Sequence, residues 1–433
     1  MIFTTESIKD KDFLVTKEFQ NLIDETSKQK GKLIVSKGKY LVSSLFLKSN
    51  MELYFEEGAV LEATIQESNY PLIDTRVAGI EMEWYPALLN ILNEENIIVS
   101  GKGIIYGNGP YWWDKYWGKD RNGGMRKTYD PKGLRWVVDY DCIRLRNILI
   151  SKSKNIELKD FTSKDSGFWN IHILYSNNIH VHDLTVDSGD INSPSTDGID
   201  IDSSHNVLVE NCTIDCHDDS ICLKSGRDYD GLRVNIPTYN VEVKNCTILR
   251  GAGITLGSEV SGGIYNINIH DIIFNNTDSG FRIKSSIYRK GYVKDITVSN
   301  LKMTNVKYIF NFRTSWHPLY DTCNIPEEYK NKELPKHWYT LLKEVPNIKN
   351  TEIKNVSIKN VDASYTNDCN KPIRAFYIEG FDDSPFTNFS FKDINIICKE
   401  YGLINNILNF QYDNLNITVA DKFNEENNKD DQQ

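Results

Sequence analysis

The sequence predicts an all-β protein: a right-handed parallel β-helix, a single-stranded solenoid with a short capping helix at its N-terminal end. The first observation behind that expectation is a phrase that returns down the chain: Asn or Asp, apolar, any, apolar, any, Asp or Asn, apolar. It reads NIELKDF from Asn155, NIHVHDL from Asn178, NVLVENC from Asn206, NVEVKNC from Asn240, NINIHDI from Asn266 and DITVSNL from Asp295. It resumes as NVSIKNV from Asn355, with weaker copies from Asn388 and Asn409. The first six copies recur 23 to 34 residues apart, too irregularly for a heptad but well suited to coils of short strands joined by loops of variable length. The second observation is Asn at a fixed turn position, which tolerates the left-handed region and can ladder its amide to the next rung.

Taken in order, Phe19, Leu22, Ile23 and Thr26 stand at helical spacing and predict an amphipathic helix over 16–26, the cap that a solenoid needs. From Lys32 the pattern turns to strands: KLIVSKGKYLV, LFLKSN and MELYFEEGAVLEA, each a short apolar run closed by Gly, Lys or Asn. A further run from Asn96 leads into GKGIIYGNG. Two segments break the rhythm. Tyr111 to Met125 concentrates Trp112, Trp113, Tyr116 and Trp117, which suits either a plug over the coil end or a sugar platform. Residues 314–350 read as an inserted loop, and long insertions on a solenoid face are often functional walls. One β-helix domain is expected over 1–420, followed by a polar tail, 421–433, whose composition predicts disorder.

Composition narrows the function. The formal net charge is −10, and Lys is scattered rather than gathered into a stripe, so no nucleic-acid partner is expected. The N-terminus lacks a basic region followed by an apolar one, and nowhere do 18 apolar residues run together, so no membrane partner is expected either. The expected compartment is cytoplasmic, or secreted or periplasmic if a leader has been removed. None of the eight cysteines forms a CxxC pair, the histidines lack metal-ligand spacing, and no metal or cofactor is expected; Cys212 and Cys246 share one repeat position, as buried small hydrophobes would. Oligomeric state stays open.

The chemistry concentrates in STDGIDIDSSHNVLVENCTIDCHDDSICLKSG, residues 195–226. Superimposing successive strands by their apolar pairs aligns Ile199/Ile201, Ile221/Leu223, Ile254/Leu256 and Phe281/Ile283. One outer groove then collects Asp197, Asp218 and Asp219, with Arg282 and Lys284 a few rungs away. A lone Asp-Gly is ordinarily just an Asx-turn. The adjacent Asp218-Asp219 pair is less ordinary, because neighbouring carboxylates persist where one is protonated or a cation sits close by. Acids beside cations suit a substrate that is itself a sugar acid.

STDGID, HDDSICLKSG, GAGITLGS and RIK, in this order, resemble the ordered signatures of glycoside hydrolase family 28, the polygalacturonases and their relatives, and SGRDYDG with GSEVSGG resembles its bacterial branch. The resemblance implies hydrolysis of an α-galacturonosyl bond with inversion, without a cofactor, on a pectic oligosaccharide or polysaccharide. Asp218 would protonate the leaving oxygen, while Asp197 and Asp219 would hold the water; inversion asks for carboxyl groups roughly 6.5–9.5 Å apart. Arg282 and Lys284 would bind the sugar carboxylate, and Ser195, Lys224, His172 and His217 complete the candidate substrate contacts. The chain departs from the family at Ser195, where the family has Asn, and at Ala252, where it has His. The loss of that His brings a rhamnogalacturonan galacturonohydrolase alongside a polygalacturonase. Exo action is expected from the long walls and the missing leader. From other classes, a non-catalytic carbohydrate-binding β-helix and a calcium-dependent lyase remain alternatives.

Overall fold

Each repeated phrase coils because it carries two left-handed corners. At its head φ is 57° at Asn155, 59° at Asn178, 54° at Asn206 and 52° at Asn240; at its second polar position φ is 71° at Asp160, 53° at Asp183, 56° at Asn211 and 53° at Asn245. Asn and Asp enter this region at less cost than other side chains. Their amides then ladder between rungs: Asn155 Nδ2 donates to Asn96 Oδ1 at 2.9 Å, Asn178 to Asn155 at 2.7 Å and Asn266 to Asn240 at 2.6 Å. The structure, a computed structural model, describes residues 1–420, so the tail expected over 421–433 lies outside the described residues.

Between the corners the apolar pairs stack in register, Ile156/Leu158 on Ile179/Val181 on Val207/Val209 on Val241/Val243, all buried. Strands pair in parallel throughout the two large sheets, one of twenty strands and one of eleven, while Ile73–Val77 and Ile80–Trp84 form a small antiparallel pair beside them. This is the right-handed parallel β-helix that the repeats predict. The inward residues of both sheets form one long core. The capping helix spans Thr16–Lys28, two residues beyond its expected end, and buries Phe19 and Ile23, with Phe19 edge-on to Tyr40 at 5.7 Å. Among the described residues, no helix is long and apolar enough to cross a membrane. All eight cysteines are free, and Cys212 and Cys246 are buried.

The interruptions are more ordered than a loop. The aromatic segment folds as a helix, Gly109–Trp117, followed by Gly124–Tyr129 and Arg135–Asp141. The segment 314–350 carries helices Pro318–Asp321 and Lys336–Leu341. The two walls meet: Trp338 packs on Trp136 at 5.2 Å and donates from Nε1 to Asp141 at 2.9 Å. Both lie over one stretch of the eleven-stranded sheet.

Candidate active site

The floor of the site is that sheet. Ile199 pairs with Ile221, Ile221 with Ile254 and Ile254 with Phe281, while Ile201, Leu223, Leu256 and Ile283 follow in the same register, all facing the core. Alternation therefore turns Asp200, Cys222, Thr255 and Arg282 outward on successive rungs, with Asp202 beside Lys224 one step further on. Asp197, Asp218 and Asp219 occupy the corners just before these strands. Gly198 is required there: a Cβ would stand 2.3 Å from the Ser220 carbonyl, and its N–H donates to Asp219 O at 2.9 Å, tying one corner to the next.

One carboxylate oxygen from each of Asp197, Asp218 and Asp219 lies within 4.8 Å of the others. The three residues sit at neighbouring corners of the floor. A water can bridge two oxygens so spaced with ordinary hydrogen bonds of about 2.8 Å.

The environments of the three differ. Lys284 Nζ donates to Asp219 Oδ2 at 2.7 Å, Thr255 Oγ1 to Oδ1 at 2.9 Å, and Arg282 Nη2 to the same Oδ1. Burial alone would raise the Asp219 pKa, but Arg282, Lys284 and Lys224 hold it well below the carboxylate range. Asp218 is partly exposed and has no such partner; burial and the neighbouring Asp219 charge push it up against the pull of Lys284 and Arg282. Burial and Asp218 raise Asp197 well above the ordinary value, although Lys224 Nζ stands 3.5 Å from its Oδ2. One acid is thus held ionised beside one favoured in its protonated form, an arrangement suited to acid/base work.

Lys224 is the hub. Its ammonium lies 3.5 Å from Asp200, 3.9 Å from Asp219 and 3.4 Å from Glu259, and 4.9 Å over the Trp169 ring. Together with Arg282 and Lys284 it already supplies the positive charge that a metal ion among these carboxylates would bring.

Both walls line a cavity of about 150 Å³ above this floor, with Arg135 and Asp139 on one side and Trp316, His317 and Tyr320 on the other. Trp316 covers the cations, 5.1 Å from the Arg282 guanidinium and 4.5 Å from Lys284. The second wall is tied down by buried guanidiniums. Arg227 donates to the Tyr320 carbonyl and to Tyr140 OH, each at 2.7 Å, and Arg289 pairs with both Asp228 and Asp321.

The cavity collects Asp197, Asp218, Asp219, Lys224, Lys284 and Ser195, with Arg282 against Asp219. Ser195 sits at a left-handed corner (φ 53°), its Oγ accepting from Arg144 at 3.4 Å. His217 stands aside, half-buried and edge-on to Trp117 at 6.3 Å. His172, expected as a substrate contact, lies fully buried beneath the floor. Its Nδ1 accepts from Arg146 at 2.7 Å, its Nε2 faces Asp202 at 3.4 Å, and burial pushes its pKa down to about 4. Trp112, Trp113 and Tyr116 are buried and offer no sugar platform, because their helix packs them against Tyr70, Ser166 and Arg144. Trp316 lines the cavity instead.

Asp200 and Glu259 were missed by sequence reasoning. An acid alternating within an apolar strand signals the first; the second lies inside the quoted GSEVSGG. At Ala252 the backbone N–H donates to the Asp218 carbonyl at 2.8 Å, and the neighbouring imidazole, His217, feels the Asp218 charge.

A family model described as glycosyl hydrolases family 28 matches residues 28–412. A probable polygalacturonase of Vitis vinifera is 34% identical over 309 residues, 69% of this chain and 59% of the relative, so the chain spans about three-fifths of that protein's length. A solved exopolygalacturonase of Thermotoga maritima superposes with a TM-score of 0.75 at 23% identity, covering 96% of this chain and 92% of the other. One from Yersinia enterocolitica superposes at 0.78 and 19% identity, covering 98% and 76%.

Proposed function

The chain belongs to glycosyl hydrolase family 28, a family of glycosidases, and we propose that it hydrolyses α-galacturonosyl bonds in pectin-derived saccharides, from the chain end and with inversion. One observation carries the reading: a partly exposed Asp218 favouring its proton stands beside an ionised Asp219 locked by Arg282 and Lys284, at the bottom of a cavity of about 150 Å³. Pockets for drug-sized ligands run to roughly 300–1,000 Å³, so this one suits a single sugar. The Vitis vinifera relative supports galacturonan as the substrate class.

In the proposed reaction Asp218 gives its proton to the leaving glycosidic oxygen. A water bridging Asp197 and Asp219 attacks the anomeric carbon from the opposite face and passes its proton to Asp197. Arg282 and Lys284 share their charge between Asp219 and the carboxylate of the sugar next to the cleaved bond, and Trp316 covers that sugar's face. The absence of an imidazole at Ala252 keeps a galacturonate–rhamnose bond as a second reading.

Proton NMR and chromatography of the first products test this together. Expected first products are galacturonate, as its β-anomer before mutarotation, and the oligomer one sugar shorter. The α-anomer first would overturn inversion, and mid-length fragments among the first products would overturn chain-end action. Parallel turnover of oligogalacturonate and rhamnogalacturonan oligosaccharide decides the bond.

A further inference from the structure

We propose that Asp200, one layer beneath the cavity floor, is the proton-holding partner of Asp197: from a neutral carboxyl it donates a hydrogen bond to Asp197 and so orients the base of the reaction. The inference rests on the reading of Asp197 as that base.

Alternation turns Asp200 away from the core, yet its exposure is 0%. Neither of its carboxyl oxygens has a hydrogen-bond partner, an unusual state for a buried acid. The groups around it leave one arrangement. Its rung neighbours are His172 and Cys222. His172 is turned toward Arg146 and Asp202, and Cys222 Sγ toward Asp219 Oδ2 at 3.3 Å. Arg146 acts on Asp200 only through its charge. Lys224 Nζ stands 3.5 Å from Asp200 Oδ1 and equally 3.5 Å from Asp197 Oδ2, straddling the two acids. One oxygen of each acid and the Cys222 sulfur lie within 4.8 Å of one another.

Two ionised carboxylates this close, buried with one shared ammonium, repel each other and lack solvation. Burial, then Asp197, raise Asp200 well above the ordinary value. A neutral Asp200 has a single O–H to give, and the acceptor at hand is Asp197. The pair then holds one proton and one negative charge, which Lys224 balances. This leaves Asp197 a lone pair for the water. When the water's proton arrives, the pair carries two protons; Asp197 then releases one to solvent, and solvent restores the one that Asp218 gave to the leaving oxygen. Asp200 keeps its own proton throughout and touches no substrate, which makes it a positioning residue.

Two variants and the unmodified protein test this. Asp200→Leu removes the donor; kcat is expected to fall more than tenfold and the acidic limb of kcat/KM to move up by about one pH unit, because ionised Asp197 loses a stabilising hydrogen bond. Asp200→Asn has an amide N–H to donate in the same direction, and should return kcat to within about fivefold of the parent and bring the limb back, with KM unchanged in both variants. A packing role would lower Tm without moving the limb, and limbs superimposed on the parent's in both variants overturn the proposal. Neutron diffraction of the unmodified protein decides independently of folding or turnover: a deuteron on Asp200 directed at Asp197 is expected, and an ionised Asp200 overturns it. If the unmodified protein cleaves no galacturonosyl substrate, the proposed function fails, while the deuteron still decides how the two acids are paired.

Discussion

On the twenty-stranded sheet the outward side chains of neighbouring rungs meet in water: Lys154 pairs with Glu95 and His180 with Glu210, each at 2.8 Å and each at the surface. On the eleven-stranded sheet the same alternation sends Asp200, Lys224, Arg282 and Lys284 outward, and all four are buried. The strands of the two regions follow one rule; the walls over the second make the difference. A charge pair in water contributes about 0–1 kcal/mol, whereas removing one partner of a buried pair costs about 3–5 kcal/mol, because the survivor cannot be solvated. One repeating architecture thus carries a tolerant face and an intolerant one, and the intolerant face is where ionisation states are pinned.

Four expected outcomes sharpen or break this contrast. The largest effect belongs to Asp218→Asn, which removes the proposed acid: kcat should fall by about 10³-fold with Tm nearly unchanged, as steady-state kinetics and a melting curve would show. In the parent the same group sets the alkaline limb. Its pKa is raised, so the protonated, active form persists above the usual carboxylate range and activity is lost as pH rises through that raised value. Next comes Arg282→Ala, which leaves Asp219 buried with fewer cations. A stability loss of about 3–5 kcal/mol in urea unfolding is expected, together with a raised KM. Asn178→Ala is a corner on the tolerant face (φ 59°) and breaks the ladder to Asn155. It should cost about 1–2 kcal/mol and leave the pH profile in place. The smallest effect is that of His180→Gln, at under about 1 kcal/mol with full activity. Comparable losses from His180→Gln and Arg282→Ala would break the contrast.

The rungs and the floor of the site were legible in the sequence because each is set by local chemistry. Asn155, Asn178 and Asn206 announce left-handed corners, and the apolar pairs from Ile199/Ile201 to Phe281/Ile283 fix a register from which Asp197, Asp219 and Arg282 follow. The roof was not legible. Trp316, His317 and Tyr320 reach the cavity because Arg227 and Arg289 grip a segment some thirty or more residues away in sequence, and no local pattern encodes such a grip. The same reason sank His172 below the floor: alternation turns it outward, but only the completed walls decide that outward is not solvent. Asp200 was passed over on the same ground.

The grip of Arg227 and Arg289 on the second wall has a kinetic meaning. A wall bolted through Tyr320 and Asp321 is ordered when the protein folds, so binding a sugar does not have to freeze it again. Association should therefore proceed in a single phase with no slow closing step after encounter, and pre-steady-state mixing with a fluorescent view of Trp316 would see the quench at the collision rate itself.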